Sequence, residues 1–136
     1  PYVQSIKDNL RECVHNEQDI QQIIATKFEF TVLSMCRGRS FNNCFILVEE
    51  AQNVPLAGGA MKMILTRVGR GSKMVIAGDL DQIDIPSEES ALTEAINVLK
   101  DIPGVGIVEM NNIDTVRRSR IVKEVLKAYQ EHEQYG

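Results

Sequence analysis

Apolar residues in this chain fall into short continuous runs, and the most informative run ends abruptly in two carboxylates. The segment Asn43–Val48 closes with Phe-Ile-Leu-Val and is followed directly by Glu49 and Glu50. An unbroken apolar run bounded by polar residues is typical of a strand that is buried on both faces of a parallel sheet. The two carboxylates would then lie at the carboxyl-terminal edge of that sheet, where open α/β folds bind their ligands.

The remaining hydrophobic pattern predicts three more strands and five helices. The further strands are Phe28–Leu33, which alternates aromatic, β-branched and polar residues, Lys73–Ala77, and Val105–Met110. Apolar residues at helical spacing predict helices at Tyr2–Val14, Asn16–Ala25 and Ala60–Val68, a helix from Ser87 to about Leu99, and a last helix from Ser119 to about Tyr129. From residue 28 onward, the predicted order is strand, strand, helix, strand, helix, strand, helix. This order predicts an α/β fold in which helices cover both faces of a parallel sheet.

Composition indicates the class of protein but says little about its chemical activity. The chain has 136 residues, so we expect one domain. Its net charge of −4 argues against a surface dominated by nucleic-acid electrostatics, and a local basic patch stays open. Three cysteines without paired spacing predict neither a disulfide framework nor a zinc site. Without an apolar stretch of membrane-spanning length or a signal sequence, we expect a cytoplasmic protein. The start at Pro1 predicts a processed, trimmed or subcloned piece.

Polar clusters follow three of the predicted strands and would meet at one edge of the sheet. Glu49 and Glu50 follow the first, Gly78 and Asp79 with Gln82 and Asp84 follow the second, and Asn111 to Arg117 and Arg118 follow the third. Phosphoryl transfer to water needs a carboxylate near magnesium, a group that orients water, a sensor of the γ-phosphate, and an arginine. Glu49, Glu50, Gln82 and Arg117 supply these four roles in that order. No Gly-x-x-x-x-Gly-Lys-Ser/Thr loop occurs among the 136 residues.

The ordered series of motifs resembles the PhoH family. The resemblance is carried by Phe45–Asn53, Met61–Gly69, Gly71–Val75, Gly78–Pro86 and Ala95–Lys100, and it continues through Asp114–Arg117 and upstream through Met35–Ser40. It covers the chain from Phe28 onward, whereas the first two helices match loosely.

This resemblance implies a three-layer parallel sheet of the P-loop NTPase type, similar to the core of superfamily-one helicases. The family is linked with phosphate starvation and RNA metabolism, and it is common in phage genomes. ATP and Mg²⁺ are the cofactors that the resemblance implies, and RNA or another single-stranded nucleic acid is the implied partner.

Individual roles are also carried over from the family by position. Glu50 would be the catalytic carboxylate of the Walker B motif, and Gly78, Asp79 and Gln82 the motif that senses the γ-phosphate. Arg117 would match the arginine that follows the last strand. Arg37 and Arg39 would match a basic loop, where contact with phosphate or RNA and a plain solvated loop both stay open.

Three departures from the family pattern qualify this picture. Glu49 stands where the family has aspartate, which changes the geometry of the magnesium shell. The stretch between Asn53 and Met61 is about two residues longer than usual. The Walker A strand and loop, expected before Pro1, are absent, so we expect an exposed sheet edge that favours homo-oligomers or aggregation.

Two alternatives to an ATPase stay open at this point. One is a hydrolysis-deficient RNA- or protein-binding scaffold that descends from the same family. The other is a metal-dependent nuclease built from Glu49, Glu50, Asp79 and Asp84.

Overall fold

The computed structural model describes residues 2–86, 89–110 and 120–135. In chain order, the helices and strands are α1 (Tyr2–Cys13), α2 (Glu17–Lys27), β1 (Phe45–Val48), α3 (Ala60–Leu65), β2 (Lys73–Ile76), α4 (Ala91–Leu99) and α5 (Arg120–Tyr135). Three short 3-10 turns lie between them, at Leu33–Cys36, Ala51–Asn53 and Leu80–Gln82. The chain divides into two compact units, residues 1–95 and 96–136.

A two-stranded parallel sheet forms the centre of the first unit. β1 pairs with β2 in a register that sets Phe45 opposite Lys73 and Val48 opposite Ile76. Parallel strands need a crossover connection, which α3 provides here. The prediction that these two apolar runs form neighbouring parallel strands is therefore confirmed. The predicted burial of the first strand on both faces is wrong, since Phe45 is 65% and Leu47 48% exposed on one face of β1.

The helices of the first unit bury a narrow apolar stripe. Asn16 begins α2 by accepting a hydrogen bond from the Gln18 amide at 2.9 Å, which satisfies one of the unpaired donors at a helix start. The core consists of small and branched side chains from α2, β1, α3, α4 and the turns between them: Ile20, Cys36, Val48, Ala51, Val54, Met61, Ile64, Ala91, Leu92 and Ala95.

The predicted helices differ from the structure at their ends; α2, for example, spans Glu17–Lys27 rather than Asn16–Ala25. α3 ends at Leu65 rather than Val68, because the Thr66 hydroxyl donates to the carbonyls of Lys62 and Met63 at the last turn. α4 begins at Ala91; the predicted start at Ser87 lies outside the described residues. The segment before α4 pairs with residues 54–56, since Pro55 and Ser90 form an antiparallel bridge.

Two of the predicted strands are wrong for this structure. Phe28–Leu33 is extended at its start, but it pairs with no strand in the described part of the chain, and Phe28 and Phe30 instead stack on each other with ring centroids 6.0 Å apart. Val105–Met110 also has no strand structure, and Val108 is 78% exposed. A β-favouring sequence becomes a strand only when a neighbour satisfies its backbone donors and acceptors.

Within the described residues, the architecture is a mixed α/β structure with a small two-stranded parallel sheet, and the three-layer sheet stays a prediction. In the second unit, α5 extends to Tyr135, beyond the predicted end near Tyr129, and the predicted start at Ser119 lies outside the described residues. Among the described residues, the helices are too short or too polar to cross a bilayer.

Candidate functional site

The carboxyl ends of β1 and β2 meet as the sequence predicted. The parallel ladder continues past the strands, because the Ala77 amide donates to the Val48 carbonyl at 2.8 Å and the Ala51 amide donates to the Ala77 carbonyl at 3.0 Å. A cavity of about 390 Å³ opens at this edge of the sheet. It is lined by Glu49, Glu50, Gln52, Ala77, Gly78, Asp79 and Gln82.

Glu50 occupies an unusual backbone conformation at this edge. Its φ of 54° and ψ of 36° lie in the left-handed region, which residues other than glycine rarely adopt. The residue after it, Ala51, is fully buried, while the Glu50 carboxylate lies at the cavity. Residues held in such conformations cluster at functional sites, where the surrounding structure maintains them.

Gln52 is the buried polar residue of the site, with 1% of its surface exposed. Its Nε2 donates to Glu50 Oε2 at 2.7 Å and to the Gln82 carbonyl at 3.3 Å. Its Oε1 accepts from the Asp79 amide at 3.1 Å. One side-chain amide therefore joins the end of β1 to the loop that follows β2.

Gly78 lies where a larger residue would collide with that amide. A Cβ atom at this position would stand 2.9 Å from both the backbone nitrogen and Oε1 of Gln52, and 2.6 Å from Cδ2 of Leu92. The glycine that the sequence placed in the sensing motif thus permits the close approach of two backbone segments.

Asp79 and Gln82 are held to each other within the loop after β2. Oδ1 of Asp79 accepts from the Asp81 amide at 3.0 Å and begins the turn Leu80–Gln82. Oδ2 of Asp79 accepts from Nε2 of Gln82. The predicted γ-phosphate sensor is therefore ordered by the aspartate that precedes it.

A second amide–carboxylate pair fastens the same two loops. Nδ2 of Asn53 donates to Oδ2 of Asp84 at 3.1 Å, and the Asp84 amide donates to Oδ1 of Asn53 at 2.8 Å. Two consecutive amides after Glu49 and Glu50, those of Gln52 and Asn53, thus each bridge to the second loop. The sequence pattern alone assigns neither amide a role.

The side chains at this edge supply some of the ligands that a magnesium ion needs. Glu49 and Glu50 present exposed carboxylates at the cavity, and Mg²⁺ binds one or two carboxylates while keeping several waters. Within the described ranges, no group of three or more His, Cys, Asp or Glu side chains is placed to hold a metal ion. Glu49 therefore fits a shared magnesium shell better than a cage made by protein ligands alone.

Arg37 and Arg39 do not lie with these residues. They precede β1, on the side of the sheet where the strands begin, whereas the cavity follows the strands' ends. Both guanidinium nitrogens Nη1 and Nη2 of Arg39 donate to the Glu29 carboxylate, at 2.6 and 3.0 Å, and its charge stands 4.7 Å from the centre of the Phe41 ring. Arg37 is exposed.

Arg117, the predicted charge-neutralising arginine, lies outside the described residues. The structure places Glu49, Glu50, Gly78, Asp79 and Gln82 around one cavity. Their assigned roles stay predictions.

Charges are segregated between the two ends of the sheet. No Asp or Glu occurs from residue 30 to 48 or from residue 51 to 78, although these segments contain six Lys and Arg residues. The loops before β1 and β2 lie side by side, since the Phe41 amide donates to the Arg67 carbonyl and the Asn43 amide to the Arg70 carbonyl, both at 2.9 Å. We call this region the basic end; its cationic residues are Arg37, Arg39, Arg67, Arg70 and Lys73.

The parallel strands with a polar cavity at their carboxyl ends define an α/β protein with its candidate ligand site at the sheet edge.

The family of PhoH-like proteins matches residues 1–130. The chain is 39% identical over its whole length to a PhoH-like protein of Mycobacterium tuberculosis, and 37% identical over 98% of its length to one from Synechocystis. It is 38% identical over 76% of its length to the protein PhoH of Escherichia coli.

This chain therefore belongs to the PhoH family. The match includes the first two helices, which had resembled the family only loosely. The chain spans 38% of the length of the mycobacterial relative, 40% of the Synechocystis protein and 28% of the Escherichia coli protein.

Proposed function

We propose that this chain is part of a PhoH-like ATPase that binds and hydrolyses ATP with Mg²⁺ and couples hydrolysis to RNA or another nucleic acid. The observation that carries the proposal is the cavity at the ends of β1 and β2, where Glu49, Glu50 and Gln82 come together. Membership of a family that is generally one of P-loop ATPases supports it.

Each residue at the cavity has a role that its chemistry suits. The Glu49 carboxylate would hold the water shell of the magnesium ion, which neutralises charge on the phosphates when bound. Glu50 would accept a proton from the attacking water or orient it. Gln82, ordered by Asp79, would contact the terminal phosphate, and Arg117 would offset developing charge.

The phosphate cradle would come from another part of the complete protein. These 136 residues contain no P-loop motif, and the chain spans less than half the length of the relatives above. In the complete protein, we propose a three-layer α/β fold in which a P-loop strand is added to the sheet of β1 and β2. We expect the complete protein to be cytoplasmic. This chain alone would then supply the water-activating and sensing side of the site.

Isothermal titration calorimetry with Mg-ATP on the complete gene product tests nucleotide binding. We expect saturable heat at sub-millimolar nucleotide, and weaker binding when magnesium is replaced by EDTA. The alternative, a scaffold that has lost hydrolysis and nucleotide binding, predicts no heat at millimolar nucleotide. That result would exclude the ATPase proposal.

The basic end supports the nucleic-acid part of the proposal. In the part of the chain that the structure describes, the side chains of Arg37, Arg70 and Lys73 have no ion-pair or hydrogen-bond partner. Exposed cations without neighbouring carboxylates attract a phosphate backbone despite the net negative charge of the chain. The basic end and the carboxylate-rich cavity would then serve different ligands.

Fluorescence anisotropy with a labelled single-stranded RNA tests this assignment. The double variant Arg70→Gln/Lys73→Gln should weaken binding and reduce the slope of log affinity against log salt by about 1.4, for two lost phosphate contacts. Lys7→Gln/Lys27→Gln removes the same charge from α1 and α2 and serves as the control. Equal effects of the two double variants would contradict a binding role for the basic end.

A further inference from the structure

We infer that Gln52 is a positioning residue that couples the Glu50 carboxylate to the sensing loop Gly78–Gln82. The inference rests on the proposed function, because it assigns Glu50 and Gln82 to the same reaction. It adds a residue whose part is to hold the two strand ends in one arrangement. Gln52 itself would not touch the reacting atoms.

The first support is that the amide of Gln52 is fully used and inaccessible. At 1% exposure, water cannot replace a bond that the amide loses. Oε1 accepts from the Asp79 backbone, while Nε2 donates to Glu50 and to the Gln82 carbonyl. Buried polar groups are held to their partners because leaving one unsatisfied is unfavourable.

The second support is that the backbone of Gln52 is fixed independently. The Ser90 hydroxyl donates to the Gln52 carbonyl at 2.8 Å, and Ser90 is itself buried. The backbone nitrogen of Gln52 packs against Gly78, where even a Cβ atom would stand only 2.9 Å from it. If the Asp79 backbone amide moves, the side-chain amide of Gln52 must therefore rotate or shift with it, because the Gln52 backbone is held in place.

The third support concerns Glu50. Its carboxylate is exposed, and its backbone is held in the left-handed region. Among the described residues, Gln52 is its side-chain hydrogen-bond partner. Rotation of the Gln52 amide would thus turn the carboxylate that we assign to water activation.

Only an amide side chain combines the required donor and acceptor at this length. A glutamate at position 52 keeps an acceptor for the Asp79 amide but loses the donor to Glu50 and to the Gln82 carbonyl. A methionine keeps the length and burial but loses all three bonds. These two substitutions therefore separate the loss of the donated bonds from the loss of the whole bridge.

Nuclear magnetic resonance on the complete gene product, labelled with ¹⁵N on glutamine and aspartate, tests the coupling without any measurement of activity. Glu50→Ala alters an exposed side chain and should shift both the Gln52 side-chain amide and the Asp79 backbone amide. Glu49→Ala is the matched control and should leave both resonances close to their original positions. An unmoved Asp79 amide in Glu50→Ala would overturn the inference.

Steady-state kinetics on the complete gene product test the consequence. We expect Gln52→Glu and Gln52→Met to lower kcat by about tenfold to a hundredfold while KM for ATP changes by less than about threefold. Gln22→Glu makes the same chemical change on exposed α2 and should leave both constants unchanged. Asn53→Asp disturbs the neighbouring amide–carboxylate pair and should change kcat by less than about threefold.

The outcomes separate the two proposals. If the original protein turns over ATP and folded Gln52→Met keeps its kcat, the coupling is wrong and the ATPase proposal survives. If Asn53→Asp lowers kcat as much as Gln52→Met, general loosening of the loops explains the loss and the coupling is again wrong. If the original protein does not turn over ATP, the proposed function fails, and the resonance experiment still decides whether Gln52 links Glu50 to Asp79.

Discussion

Gly78 stands so close to Gln52 that a Cβ atom on the glycine would lie 2.9 Å from Oε1 of the glutamine side chain. The same Cβ would lie 2.9 Å from the Gln52 backbone nitrogen, which cannot move aside as a flexible side chain can. Close packing of the two strand ends is therefore a condition for the amide bridge, and the glycine makes that packing sterically possible.

Gly78→Ala should destabilise the fold because the added methyl group overpacks this contact. We expect the free energy of unfolding to fall by about 1–3 kcal/mol, measured by urea denaturation. Gly106→Ala is the control, since a Cβ there meets no atom within 4 Å, and its effect should stay within about 0.5 kcal/mol. Equal stability of Gly78→Ala and the original chain would show that the strand ends are looser than described.

The ion pair between Glu29 and Arg39 predicts a dependence of stability on pH. Hydrogen bonding from Arg39, together with its charge, lowers the pKa of Glu29 below the usual value of 4.5. A lowered carboxyl pKa stabilises the folded chain above the unfolded-state pKa, and this stabilisation is lost as pH falls through the folded-state value. The effect is small because both side chains are well exposed.

Urea midpoints measured between pH 6 and pH 3 check this expectation. The original chain should be more stable than Glu29→Gln at pH 6, and the gap should close as pH falls below about 4.5. When Arg39 is already replaced by glutamine, the stability difference caused by Glu29→Gln should not shrink as pH falls. A gap that persists unchanged to pH 3 would show that the pair does not form in solution.

Exposed apolar residues on β1 predict association of the isolated chain. Phe45 is 65% exposed and Leu47 48% exposed on the same face of the sheet. Each strand pairs on one side only within the described residues, and open edges and apolar faces favour contacts between chains. We expect sedimentation velocity to show concentration-dependent association that Leu47→Thr reduces.

Val32→Thr provides the matched control, because Val32 is 57% exposed in a segment outside the sheet. It makes the same kind of change without altering β1. If the chain stays monomeric over a hundredfold range of concentration, or if Val32→Thr reduces association as much as Leu47→Thr, the sheet is not the contact surface.

Much of the candidate site follows from local sequence. Phe45–Val48 and Lys73–Ile76 are short apolar runs that end in polar residues, and their parallel pairing brings Glu50 and Asp79 to one edge. The apolar runs and their polar ends are visible in the sequence, but the exposure of one face of β1 is not, because it depends on what covers the sheet. The carboxylates were therefore visible as candidates before any coordinates.

What the sequence did not predict depends on contacts between distant residues. Gln52 is 27 residues from Asp79 and 38 from Ser90, and no local signal distinguishes a buried bridging amide from a solvated one. Phe28–Leu33 has a strand-like composition, but strand formation depends on a pairing partner that composition does not reveal. The left-handed conformation of Glu50 likewise has no local signal, since residues other than glycine rarely adopt it.

ATP turnover by the complete gene product, compared between the original sequence and Glu50→Gln, tests the central claim most directly. The substitution preserves size while removing the carboxylate that we assign to water activation. Glu94→Gln makes the same change at an exposed position of α4 and should keep kcat within about twofold. We expect Glu50→Gln to lower kcat by about a hundredfold or more with little change in KM, whereas equal rates for Glu50→Gln and the original protein would contradict the account.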